Sequence, residues 1–368
     1  MRRHVLLRGA SAGALALAPF ALRGRAEAGY VEPNIVFSPL AQQRGIITPT
    51  AHFFVRDHAG VPTIDTARHR LIVHGLVRSP LAFTIADLMK FPAVTRTHFL
   101  ECAGNGLSEW QVPSASDVMH SHGLVSCTSW TGALVRDVLA EVGVASDASW
   151  MLAEGADSAH YDRSIPLHKA LDDAMLVYAQ DGKPLPPLHG GPLRLILPGY
   201  EGSTNIKWLR RLKLGRAPWD TREETAEYTE LLPSGHARAY DFVMRVKSVI
   251  VTPSAGERLR EPGAQVLRGF AWSGRGKIAR VEVSTDGDTW RDARLLPPIL
   301  TRAFIAFEAP CVWDGRPMTL RSRATDEMGA VQPTHAALVA ERGFFSQYHN
   351  NAIQVWHIGR SGTVRNGA

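Results

Sequence analysis

From Phe242 onward the chain breaks into short apolar runs, each stopped by a turn. Val249-Ile250-Val251 runs into Pro253, and Val266-Leu267-Arg268 follows. Val281-Glu282-Val283 leads to Asp286-Gly287, and Leu320 to Ala324 ends at Asp326 and Gly329. Strands at regular spacing, punctuated by Gly, Pro and Asp-Gly, predict a β-sandwich of the immunoglobulin-like kind over residues 241–368.

The stretch before it follows a different rule. Leu71-Ile72-Val73 and Leu193 to Leu197 predict strands, while apolar positions at helical spacing predict helices over Val135 to Val142 and Leu167 to Tyr178. Helices do not fall between every pair of strands, so the class is α+β rather than a regular βαβ alternation. Arg216 to Ser234, charged and bounded by prolines, reads as a linker. With 368 residues, 45% of them hydrophobic, the chain can bury two cores, assigned here to 29–240 and 241–368. No apolar run reaches the roughly 18–20 residues that a membrane span requires.

Residues 1–28 are assigned to export. Arg2-Arg3 precedes a small, apolar stretch from Gly9 to Leu22, and Ala26-Glu27-Ala28 gives a cleavage pattern, which points to the twin-arginine pathway and the periplasm. That segment holds five arginines against one glutamate, so about four of the six net positive charges sit there. The remaining excess of about two gives no footprint for nucleic acid. Cys102, Cys127 and Cys311 form no CxxC, and there is no CxxCH for covalent haem; Cys127 and Cys311 read as buried thiols.

Three clusters carry chemistry. In Phe99-Leu100-Glu101-Cys102-Ala103-Gly104-Asn105-Gly106 a strand delivers a cysteine into a turn of small residues; a thiolate there is a soft donor suited to a metal with sulfur co-ligands, or else a buried free thiol. In Phe53-Phe54-Val55-Arg56-Asp57-His58 an alternating strand would turn Arg56 and His58 to one face, toward an anion. His189-Gly190-Gly191-Pro192-Leu193-Arg194, with Asn205-Ile206-Lys207-Trp208, would suit a phosphate-bearing heteroaromatic ligand. His120-Ser121-His122 reads as solvated loop histidines, Thr221 to Glu224 as a solvated helical start, and Trp110 and Trp219 as aromatics near the pocket.

Together these clusters, with Glu154-Gly155-Ala156-Asp157 and Ser164-Ile165-Pro166, resemble the sulfite oxidase family of molybdenum enzymes. Within it, the segments from Asn205 to Arg211, Trp272 to Lys277, Arg323 to Glu327 and Tyr348 to Ala352 look most like the SoxC branch, molybdenum subunits of the periplasmic sulfur-oxidising system. The resemblance implies a molybdopterin domain followed by a dimerisation sandwich. It implies Cys102 as the thiolate on molybdenum, and Arg56 and His58 lining the anion pocket. It further implies Asp157, His189, Arg194 and Lys207 on the pterin and its phosphate, with Phe54, Val55, Asp57, Asn205 and Ile206 in the same binding set.

The implied activity is sulfite or sulfane oxidation, with electrons passed to a separate c-type cytochrome subunit and the sulfur presented on a carrier protein or as a small oxyanion. A free-sulfite dehydrogenase, a sulfoxide reductase and a non-catalytic binding protein are the alternatives. Gly106 and Leu107 stand where the family usually places arginines, and its pocket tyrosine falls by count near Trp219-Asp220. The expected pocket therefore lacks one cation and one phenol, with Tyr228 the nearest tyrosine downstream.

Overall fold

The computed structural model describes residues 35–110 and 117–367; the assigned export segment lies outside them. In the first half, β1 (Leu71–Gly75), β2 (Leu81–Phe83), β3 (Ala93–Glu101), β4 (Val125–Leu134), β5 (Trp150–Gly155), β6 (Asp162–Pro166), β7 (Met175–Gln180), β8 (Arg194–Ile196) and β9 (Leu209–Gly215) form two sheets. In one, β4 lies between β3 and β7, and β8 also pairs with β7; the other runs β2-β1-β9-β5-β6, with β9 parallel to β1 and antiparallel to β5.

Helix α1 (Val135–Val142) packs between them because Val135, Val138, Leu139 and Val142 recur at helical spacing and are all buried. Each such side chain contributes about 1.5–3 kcal/mol of burial. Gly143, at φ +66°, ends it. The predicted helix over 167–178 is two elements: α2 (Leu167–Asp172) and then strand β7. Met175-Leu176-Val177 is a continuous apolar run buried on both faces at a sheet centre, a pattern that periodicity cannot separate from a buried helix.

The second half is the expected sandwich. One sheet runs β10 (Lys247–Thr252), β11 (Gly263–Trp272), β12 (Ile305–Trp313), with Arg294–Leu296 at its edge. The other places Arg291–Asp292 beside β13 (Ile278–Ser284), followed by β14 (Met318–Asp326), β15 (Val355–Ile358) and β16 (Val364–Gly367). Leu267, Phe270, Trp272, Val281, Phe304, Phe307, Leu320 and Trp356 fill the space between the sheets, and the same cluster continues into Phe99, Val125 and Cys127 of the first half. The two halves therefore share one core across β3 and β4. Helix α3 (His335–Arg342), capped by Thr334, lies between β14 and β15 in the sequence.

Candidate active site

Strand β3 ends at Glu101, and the chain turns at once. The Cys102 amide donates to the Leu124 carbonyl and the Asn105 amide donates back to the Cys102 carbonyl, both at 2.9 Å. Gly106 closes the turn at φ +87°, where a side chain would be strained and would press on Asn350. The partly buried Cys102 thiol faces a cleft with about 680 Å³ of space open to solvent. Phe54, Val55, Arg56, Asp57, His58, Cys102, Asp157, His189, Arg194, Asn205, Ile206 and Lys207, the full set expected from the sequence, line that one cleft.

The route differs from the expectation in places. The Val55–Arg56 strand is only two residues long and pairs with Ile35–Val36, so strand alternation does not orient His58. His58 instead stacks flat on Tyr161, ring centroids 5.7 Å apart, with Nε2 3.3 Å from the Tyr228 hydroxyl. Burial first, then the Arg56 charge, lowers its pKa to about 4, so the ring is neutral at pH 7. Asp57 accepts from the Gly60 amide at 2.9 Å and faces the Lys207 ammonium at 3.8 Å. Asp157 accepts from the Tyr161 amide at 2.8 Å. Burial raises the carboxyl pKa of Asp157.

At the other wall, His189 ends a short helical turn and its Nδ1 lies 2.8 Å from Gln180 Oε1. Gly190, at φ +104°, lets the chain pass Lys207; a Cβ there would sit 2.9 Å from the lysine's own side chain. Arg194 donates one Nη1 bond to the His189 carbonyl at 2.8 Å and lies over the Trp130 ring. Asn205 spends its side chain on the loop itself, accepting from the Leu197 amide at 2.7 Å and donating to the Glu201 carbonyl at 2.8 Å. It shapes the wall rather than reaching into the cleft.

Among the described residues, Lys207 Nζ and Arg194 Nε are buried with no hydrogen-bond partner. Burial lowers the Lys207 pKa to about 7 and that of Arg194 to about 9. Two cations held dry, with one carbonyl bond at Arg194 and only a 3.8 Å carboxylate at Lys207, are costly unless an anion completes them. The donor set thus fits a phosphate-bearing ligand. Among the described residues no group of three or more His, Cys, Asp or Glu could hold a metal alone. Cys102 is then a single soft donor whose metal would bring its other ligands, as a dithiolene pterin does.

Several lining residues escaped the sequence reading. Tyr228 restores the phenol thought missing: it lines the cleft, carried there by the supposed linker. Arg163, 1% exposed, lies 4.7 Å from the Tyr228 ring centroid and pairs with Glu201 at 2.9 Å and Glu224 at 3.7 Å. Glu224 is not solvated; it accepts from the Ser164 amide and hydroxyl and the Thr221 amide, pinning the Tyr228 segment. Tyr161 also lines the cleft, between two recognised motifs. Trp110 and Trp219 do not: Trp110 packs on Leu338 and Ala352, and Trp219 lies on Lys213. His120 and His122 fall on a short helix, His122 buried against Gln354. All three cysteines are free.

The oxidoreductase molybdopterin binding domain family matches residues 58–223, and the Mo-co oxidoreductase dimerisation domain family matches 238–356. Mitochondrial sulfite oxidase of Homo sapiens is 36% identical over 269 residues, covering 68% of this chain but 49% of the human protein. The chain thus spans about half the length of that relative. Sulfite oxidase of Gallus gallus is 32% identical over 317 residues, covering 79% of this chain and 69% of that one. Among solved structures, the sulfane dehydrogenase SoxCD from Paracoccus pantotrophus superimposes with a TM-score of 0.90 at 40% identity, covering 95% of this chain and 89% of that one. The fold and cleft are those of a molybdopterin-binding oxidoreductase. The chain belongs to the sulfite oxidase family.

Proposed function

We propose that the protein is a periplasmic, molybdenum-dependent sulfur-compound oxidoreductase, a SoxC-like sulfite or sulfane dehydrogenase exported by the twin-arginine pathway. The observation that carries this reading is the pairing, in one cleft, of a single cysteine thiol with two buried cations whose Arg194 Nε and Lys207 Nζ lack hydrogen-bond partners among the described residues. Cys102 supplies the thiolate to molybdenum; Asp157, His189, Arg194 and Lys207 hold the pterin and its phosphate. When bound, the group supplies two-electron oxidation of a sulfur centre, with oxygen drawn from water.

The chain's own residues do the rest. Arg56 places positive charge beside Cys102 and draws anionic sulfur into the cleft. Neutral His58 and the Tyr228 hydroxyl, 3.3 Å apart, form a hydrogen-bonded pair that orients substrate at the cleft. Electrons pass to a separate acceptor, and a SoxD-like c-type cytochrome subunit fills that role. A sulfur-carrier protein or small sulfur oxyanion is the substrate, and the sandwich domain supports a dimer.

Free sulfite is the second reading, favoured by Tyr228, since a phenol donor beside Arg56 suits a small oxyanion. The deciding experiment is molybdenum and pterin analysis of the purified protein, followed by haem reduction in the cytochrome subunit with sulfite or with carrier-bound sulfane sulfur. About one molybdenum per chain supports the assignment, and the faster donor selects the substrate. Properly exported protein without molybdenum leaves a binding protein instead.

A further inference from the structure

We propose that Glu101 is a positioning residue for Cys102, and that Lys247 and Trp272 of the sandwich are its anchors. The proposal rests on the reading of Cys102 as the molybdenum ligand. Glu101 is 1% exposed and both its oxygens are engaged by side chains. Trp272 Nε1 donates to Oε2 at 2.7 Å; Asn105 Nδ2 donates to Oε1 at 2.9 Å and Lys247 Nζ to the same oxygen at 3.3 Å. Trp272 and Lys247 lie 171 and 146 residues away in the chain. They face each other as register partners across β10 and β11, where one strand begins and the other ends.

The geometry closes a loop around the thiol. Asn105, held by Glu101, accepts from the Leu124 amide at 3.1 Å, and the Leu124 carbonyl accepts from the Cys102 amide at 2.9 Å. A carboxylate gripped at both oxygens cannot rotate without breaking a bond. Its backbone is the last residue of β3, so the grip fixes the direction in which Cys102 leaves the strand. Two further bonds from the C-terminal segment brace the same turn: the His349 amide donates to the Ala103 carbonyl at 2.8 Å and Asn350 Nδ2 to the Gly106 carbonyl at 2.9 Å. The sandwich is therefore part of the cysteine's support, in the way outer-shell partners hold a metal ligand.

The test compares wild type with Trp272→Phe, Lys247→Met and the double variant Glu101→Gln/Lys247→Met, which leaves no unpaired buried charge. Holoenzyme is challenged with a chelator and its reduced molybdenum signal is recorded by electron paramagnetic resonance. In parallel, the cofactor-free full chain carrying Cys311→Ser is labelled at Cys102 with iodoacetamide at fixed pH. The proposal expects metal retention to fall roughly 10–100-fold, with shifted g-values and an altered labelling rate. Variants that lose thermal stability but keep the wild-type signal, retention and labelling rate overturn it. Wild-type protein without molybdenum sinks the ligand reading instead, while the labelling comparison still judges the clamp.

Discussion

The hydroxyl of Tyr228 lies 3.3 Å from Nε2 of His58, a residue 170 positions earlier in the chain. The contact joins the segment after β9 to the end of the Val55–Arg56 strand, and it is held from three sides. Tyr161 stacks on His58, Arg163 lies against the Tyr228 ring, and Tyr348 packs on it with ring centroids 5.1 Å apart. Burial raises the phenol pKa well above its ordinary value, so Tyr228 stays protonated and can act as a donor.

Tyr228→Phe removes that donor and little else. One hydrogen bond to a charged substrate is worth about 1.5–3 kcal/mol, so kcat/KM for the sulfur donor should fall roughly 10–100-fold with the melting temperature nearly unchanged. Steady-state kinetics with cytochrome reduction measures the first, and calorimetry the second.

Cys102→Ser replaces a soft donor with a hard, poorly acidic one. Molybdenum content should fall, while the circular dichroism spectrum stays that of wild type because Ser is nearly isosteric with Cys and position 102 only borders the cluster of Phe53, Phe54 and Leu100. Elemental analysis of purified protein checks this.

The buried Lys207 gives a pH signature. Its folded pKa is about 7, whereas an unfolded lysine titrates near 10.4. Between those values the unfolded chain binds the extra proton, so the stability of the cofactor-free protein should rise with pH across this window. Melting temperatures of wild type, compared with Lys207→Met, should show a slope from about pH 7 to 10 that the variant lacks. Bound phosphate keeps the lysine charged, so cofactor retention should weaken as pH climbs through the same range.

Arg342 on α3 is fully buried, pairing with Glu230 and with Asp241 at 2.7 Å. Arg342→Met strands the buried Glu230 carboxylate, while Asp241 keeps Arg238 at 3.5 Å, and should cost about 3–5 kcal/mol, read by denaturant unfolding. Glu230, two residues beyond Tyr228, also accepts from the Ser346 hydroxyl and the Tyr348 amide. The variant should therefore raise KM as well as lower stability, and Tyr228→Phe in the same background should add little to the KM effect.

The motifs of the first half were legible because each is local. Glu101-Cys102-Ala103-Gly104-Asn105 is a short turn in which Asn105 bonds back to Glu101 and Cys102, whatever braces it from afar, and His189 to Arg194 is a short helical turn leading into a strand. The sandwich was legible from turn punctuation. Tyr228 and Arg163 were not, because their places depend on tertiary pairing: Arg163 is buried only through Glu201 and Glu224, and Tyr228 is carried by a segment whose charged composition reads as a linker. Glu223 and Glu224 look solvated in sequence and are buried in the fold. The helix predicted over 167–178 failed at β7, where a buried strand and a buried helix share one apolar signature.

The carboxylate beside the cysteine has a consequence for biogenesis. Translation releases Cys102 long before Lys247 and Trp272, so a nascent chain that has emerged only through residue 246 carries the turn without either sandwich anchor. On the proposed reading of Cys102 as a metal ligand, loading at that cysteine is tied to completion of synthesis, and a chain cut short ahead of the sandwich would present the thiol in an unbraced loop.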